Sequence, residues 1–108
     1  MGLKITTEIG TDKGITSEAY VRIGDYRVSK YNIAVFMIET YLNQTIAETI
    51  TNPNEANDNG CKNAEIGQTI HLGVNYADFE TTTIFAFGYA KLKERLVAAF
   101  GVDNVVDC

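Results

Sequence analysis

The stretch "YNIAVFMIETYL", residues 31–42, constrains the fold of this chain more than any other. Ile33, Val35 and Met37 occupy one parity, and Ala34, Phe36 and Ile38 the other. Successive side chains of a strand point to opposite faces, so this strand is apolar on both sides and belongs at the centre of a sheet with a cover on each face. A chain of 108 residues has room for one such core and not two. One cover is expected to be a helix; the other has to come from a second sheet or from a partner.

The helix is plain in the sequence. From Ile84 onward, Phe85, Tyr89, Leu92, Leu96 and Phe100 follow at intervals of four, three, four and four, which is the stripe of an amphipathic helix. Thr81, Thr82 and Thr83 offer N-caps, Asp78 and Glu80 suit the positive end of the helix dipole, and Gly101 is placed to end it. The basic residues Lys91, Lys93 and Arg95 are expected to complement the negative end of that dipole.

Other strands alternate more simply. Leu3, Ile5, Thr7 and Ile9 share a face as far as Gly10, and "GTDKG" supplies a turn before a second strand beginning near Ser17 or Glu18. In that second strand Ala19, Val21 and Ile23 share one parity, whereas Tyr26 and Val28 have the other. A β-bulge at Gly24-Asp25 would return Tyr26 and Val28 to the original face; a tight turn making a two-stranded hairpin there is the other arrangement these residues permit. "TIAETI", residues 45–50, reads as a fourth strand, and "QTIHLGV", residues 68–74, as another with Ile70, Leu72 and Val74 inward. The span 51–67 is nearly free of large apolar groups and is expected to be a long exposed polar loop, and 102–108 a short tail. The fold class is therefore α+β, mainly β: an antiparallel sheet, or a small sandwich or barrel, of about five to six strands, with one C-terminal amphipathic helix packed on it. Residues 1–108 form a single domain.

Composition bounds the function. With 45% hydrophobic and 21% charged residues the chain is globular, and its net charge of −5 with scattered lysines and arginines argues against binding nucleic acid. No segment approaches the roughly 20 apolar residues of a membrane span, and the N-terminal "MGLKITTEIGTDKG" lacks the apolar core of a signal peptide, so the protein is expected in the cytoplasm where it is made. The parts for catalysis are scarce: one histidine, His71, on the parity opposite Ile70 and Leu72, and two serines, Ser17 and Ser29, neither in a nucleophile elbow. Cys61 and Cys108 form no C-x-x-C pair; free thiols in a reducing compartment and a disulfide between the 51–67 loop and the tail are both arrangements the sequence permits. Aligning "NDNG" with a calcium loop leaves Ile66 where the bidentate glutamate belongs. No catalytic, cofactor or metal site is expected, and the chain is expected not to be an enzyme.

What stands out is a set of aromatic and polar side chains in or beside strands, Tyr20, Arg22, Arg27, Tyr31 and Tyr41, of the types enriched in protein interfaces. Asn54, Asn57 and Asn59 of the 51–67 loop join them as interface candidates.

"KGITSEAYVRI", then a bulged strand, an apolar strand ending "IETYL", a variable loop, and "AFGYAKLKERLVAAF" with a terminal "DC" resemble the small virion structural proteins of tailed bacteriophages over nearly the whole chain. The resemblance implies a non-enzymatic protein present in many copies, made in the bacterial host cytoplasm and joining other virion proteins or copies of itself in a tail, baseplate or capsid. It carries over no catalytic residue. The alternative from another class is a phage- or bacterium-encoded binding module or inhibitor that uses the 51–67 loop on a host protein.

Overall fold

The computed structural model describes residues 2–73 and 83–108. In chain order its elements are β1 (Leu3–Ile5), β2 (Ile9–Thr11), β3 (Gly14–Thr16), β4 (Ala19–Val28), β5 (Ile33–Tyr41), α1 (Gln44–Glu48), α2 (Pro53–Asn59), β6 (Thr69–Gly73), α3 (Ile84–Phe100) and β7 (Val105–Asp107). The fold is α+β and mainly β: an antiparallel five-stranded sheet in the order β6-β5-β4-β1-β7, a second sheet formed by the β2–β3 hairpin, and the C-terminal helix α3 packed against the main sheet.

The doubly apolar strand is β5, set between β4 and β6. Its register with β4 slips between Ile23 and Asp25, so Ile23 faces Ile38 while Tyr26 faces Phe36. This is the bulge, with Gly24 as the extra residue, and the hairpin alternative is excluded. Tyr26 and Val28 thereby rejoin Ala19, Val21 and Ile23 on the inner face. Tyr26 lies against Phe36 and meets Phe85 of α3 edge-on at 5.1 Å between ring centroids.

Helix α3 covers that inner face. Thr83 caps it, its hydroxyl accepting from the Ala86 amide at 3.1 Å, and Gly101 at φ 95° ends it. Leu92 and Leu96 are fully buried, each worth about 1.5–3 kcal/mol of burial. Gly88 brings the helix down onto the sheet: a Cβ there would lie 2.6 Å from the Phe36 ring and 2.9 Å from the end of Ile23. The basic residues of α3 do not serve its dipole. Arg95 instead donates to the carbonyls of Ile66 (3.1 Å) and Thr69 (3.0 Å), Lys93 pairs with Asp107 of β7 and Lys91 with Glu94. The roles given to Asp78, Glu80, Thr81 and Thr82, and the inward position of Val74, lie outside the described residues.

Four expectations are corrected. The strand expected over 3–9 breaks after Ile5, where the Thr6 amide turns aside to the Asn104 carbonyl (2.8 Å) and Ile9 starts the small hairpin. "TIAETI" is a helical turn, because the Asn43 side chain accepts from the Ile46 amide (2.9 Å) and caps α1, and Ala47 with Ile46 and Ile50 then covers Tyr20 and Tyr41. The 51–67 span is not a long loop. Asn52 caps α2 by accepting from the Glu55 amide, Pro53 opens that helix, and the Glu55 carboxylate reaches back to the Thr51 amide at 2.8 Å. Beyond α2 the Cys61 amide joins the Thr40 carbonyl (2.8 Å), Lys62 and Asp12 exchange bonds, and Ile66 is buried in the core. Finally, the tail 102–108 contains β7, held by Val105 against Ile5 and by reciprocal amide bonds between Gly2 and Cys108. No helix among the described residues is long and apolar enough to cross a membrane.

Candidate interaction surface

Register fixes the opposite, outer face of the sheet. It carries Lys4 of β1, Tyr20, Arg22 and Arg27 of β4, Ile33, Val35, Met37, Glu39 and Tyr41 of β5, and Thr69 and His71 of β6. Its two ends differ. At the Tyr41 end, α1 seals the face, leaving Tyr20 6% and Tyr41 0% exposed. At the Ile33 end no described element lies over it: Ile33 is exposed, and Val35 and Met37 are half-buried.

Between the ends, one polar cluster holds α1 to the sheet. Glu39 Oε1 accepts from Arg22 Nε at 2.9 Å and from the Tyr41 hydroxyl at 2.7 Å, while a second guanidinium nitrogen of Arg22 donates to the Ala47 carbonyl of α1 at 3.2 Å. The guanidinium also lies 5.2 Å from the Tyr41 ring centroid. Burial disfavours the Arg22 charge, but its bond to Glu39 and the Glu39 charge outweigh that and raise its pKa. The bulge makes room for the cluster. A Cβ at Gly24 would sit 2.0 Å from Glu39 Oε2, so any larger residue displaces the carboxylate from its partners. Gly24→Ala is therefore expected to destabilise by about 1–2 kcal/mol, the value of a broken charge-assisted hydrogen bond, and to lose that effect in a Glu39→Ala background. Thermal melts of the two single variants and the double variant measure this; additive losses would contradict it.

Burial, then donation to Glu39, pushes the Tyr41 phenol up to about 12 from its ordinary 10.0. The folded state thus holds a proton that the unfolded state releases first. This stabilisation is complete below pH 10 and is lost as pH rises through about 12. Burial raises the phenols of Tyr20 and Tyr89 in the same direction. Melting temperature is expected to fall from about pH 10 upward, and Tyr41→Phe to flatten that fall; an unchanged slope in the variant would count against the buried phenol.

A groove of about 700 Å³ lies beside this cluster, between α2 and the outer face of β5. Met37, Ile50, Pro53 and Ala56 give it apolar walls, and Thr51, Asn52, Gln68 and Thr69 give it polar ones. Asp25, Lys62 and the Arg22–Glu39 pair also line it. Cys61 at its rim is buried, which raises its thiol pKa, and Cys108 is exposed; both are free. No group of three or more His, Cys, Asp or Glu residues able to hold a metal ion occurs among the described residues.

The interface candidates separate accordingly. Tyr20 and Tyr41 are buried beneath α1 and so are withdrawn from any exposed contact. Arg22 is half-buried in the polar cluster. Arg27 and Tyr31 are exposed at the β4–β5 hairpin, Tyr31 at 74%. Asn54, Asn57 and Asn59 are exposed on α2. His71 is exposed on β6 opposite Val35. What sequence reasoning missed is the groove wall, α1 and α2 with Ile50, Pro53 and Ala56. Its signal was present in Asn43, and in "NPNE", an N-cap, a proline at the first helical position and a glutamate at the third. Comparison of the chain with protein-family models, with curated proteins and with solved structures finds no match.

Proposed function

We propose that this protein is a non-enzymatic assembly component of a bacteriophage particle, working through repeated contacts with other virion proteins or with copies of itself in a tail, baseplate or capsid. One observation carries the contact role: β5 is apolar on both faces, and among the described residues its outer face is sealed by α1 at the Tyr41 end, flanked by α2 at Met37 and without a covering element at Ile33 and Val35. A central strand left uncovered over Ile33 and Val35 costs solvation until another surface meets it. Exposed Tyr31 and Arg27 at the same end are the side-chain types that anchor such contacts. No described strand pairs with the outer side of either β6 or β7, so strand addition is a further way to join neighbours. The phage setting rests on the resemblance in the order of the sequence features.

A second reading is favoured by α2, whose exposed Asn54, Asn57 and Asn59 present a polar surface for a host protein. Mass spectrometry of purified virions produced with the gene intact discriminates the two. Stoichiometric, repeated copies in the particle are the expected result. A protein absent from the particle but recovered with one host protein, and lost from it when α2 is altered, would replace the first reading with the second.

A further inference from the structure

The geometry points to head-to-tail self-association, in which the β4–β5 hairpin of one copy docks on the α1–α2 end of the next. This rests on the assembly reading and names its partner as a second copy of this chain. Residues 26–38 contain Arg27 and Lys30 and no carboxylate, whereas residues 42–61 contain Glu48, Glu55 and Asp58 and no lysine or arginine. The nearest charges beyond these spans are Asp25, Glu39 and Lys62; all three line the groove, and Glu39 is paired with Arg22. Neither Arg27 nor Lys30 has an ion pair among the described residues; Glu48 and Asp58 are exposed, with the Lys13 ammonium from the β2–β3 turn donating to the Asp58 carbonyl.

Lys30 and Glu48 lie too far apart to pair within one molecule. Ile33 beside the tip and Tyr41 beneath α1 are eight residues apart on β5, about 26 Å at ~3.3 Å per residue, while Arg27, opposite Val35, lies nearer the groove, which reaches Met37. The distance from Ile33 to Tyr41 is about three Debye lengths at physiological salt. Two copies related by a two-fold axis at the hairpin would set like charges against each other. A head-to-tail contact sets opposite charges together, and it repeats into a ring or a filament.

Shape and order agree with charge. Tyr31 is 74% exposed at the hairpin tip with the Lys30 ammonium over its ring, flanked by exposed Val28 and Ile33. Local hydrogen bonds close the tip: the Ser29 hydroxyl accepts from the Tyr31 amide, the Asn32 amide donates to the Ser29 carbonyl and the Ser29 amide to the Ile33 carbonyl, and Asn32 stands at φ 59°. Bonds of this kind reduce the conformational entropy lost on binding. The groove beside α2 has the apolar walls to receive Tyr31, with Glu48 and Asp58 on the adjoining helices to meet Arg27 and Lys30.

The test is a charge swap read by sedimentation velocity over a concentration series. Wild-type protein is expected to form oligomers whose association weakens with added salt. Arg27→Glu with Lys30→Glu, and separately Glu48→Lys with Asp58→Lys, are each expected to weaken self-association at least about tenfold, since like charges then meet at the contact. Mixing the two variants in equal amounts restores oligomers of wild-type size, because every tip then finds a complementary tail. Tyr31→Ala, which changes no charge, is expected to weaken association to a similar degree. All four positions and Tyr31 are exposed, and an unchanged melting curve confirms that each variant is folded. Charge reversals without effect, or variants that fail to re-associate on mixing, overturn the inference. Wild-type protein that stays monomeric at every concentration yet is present in virions overturns head-to-tail contact while leaving the assembly reading standing.

Discussion

Phe36→Ala is expected to cost about 3–5 kcal/mol, a large part of the 5–15 kcal/mol that holds a domain of this size. Phe36 is fully buried at the middle of β5, with Tyr26 beside it and Gly88 of α3 directly above. Removing the ring deletes the surface on which helix and sheet meet and leaves a cavity that the rigid backbone of either cannot close. The position also predicts a change of sign. In the wild-type chain Gly88→Ala forces a Cβ to 2.6 Å from the Phe36 ring, so overpacking of about 1–3 kcal/mol outweighs the ~1 kcal/mol of helix propensity that alanine gains. With the ring gone, the nearest atom to the new Cβ is the movable end of Ile23 at 2.9 Å, and the same substitution is expected to become neutral or stabilising. Denaturant melts of the two single variants and the double variant measure it. Gly88→Ala equally harmful in both backgrounds would mean that α3 does not rest on Phe36.

Glu39→Ala has the second-largest expected effect, about 2–3 kcal/mol, or roughly 10–20 °C in Tm. One oxygen of Glu39 accepts from two donors. Its loss leaves the Tyr41 hydroxyl without that acceptor in a residue that is 0% exposed, and it leaves Arg22 with only the Ala47 carbonyl. About a quarter of the Arg22 side chain stays in solvent, so the cost falls below the 3–5 kcal/mol of a fully buried charge stripped of its partner. Glu39→Gln keeps an acceptor and is expected to lose only about half as much. Because Arg22 also reaches α1, local opening of α1, followed by hydrogen exchange at Ala47 and Ile46, is expected to accelerate in Glu39→Ala. Equal losses for Gln and Ala, with α1 exchange unchanged, would show that the cluster does not hold the helix.

Periodicity revealed the parts of this fold that long-range packing reinforces. The α3 stripe and the central place of β5 each carried a repeating apolar signal, and both are found in the structure. The phase change at Gly24 left a bulge and a hairpin both open, and only the register with β5 decides for the bulge, which returns Tyr26 to the helix side. Short elements escaped because hydrophobicity is a poor guide where capping decides. α2 buries no side chain of its own, and its start is set by Asn52, Pro53 and Glu55. The 102–108 segment looked like a tail because a three-residue strand has too few positions to show alternation, and only Val105 of the three is buried. Tyr20 and Tyr41 were grouped with Tyr31 by residue type alone. Whether a strand tyrosine is exposed depends on what lies over it, and the covering element was α1, a segment whose alternating apolar residues suggested a strand.

The same error of cover explains the surface. The sequence required something on each face of β5, and the described residues supply the inner cover through α3 and the outer cover through α1 near Tyr41 and α2 beside Met37, not at Ile33 and Val35. If a neighbouring chain completes the outer cover, Tyr31 and Met37 should be several times less reactive toward hydroxyl radicals in the assembled particle than in the isolated protein. Equal reactivity of both residues in the two states would mean that nothing docks on this face, and the account of the protein as an assembly component through its outer sheet would be wrong.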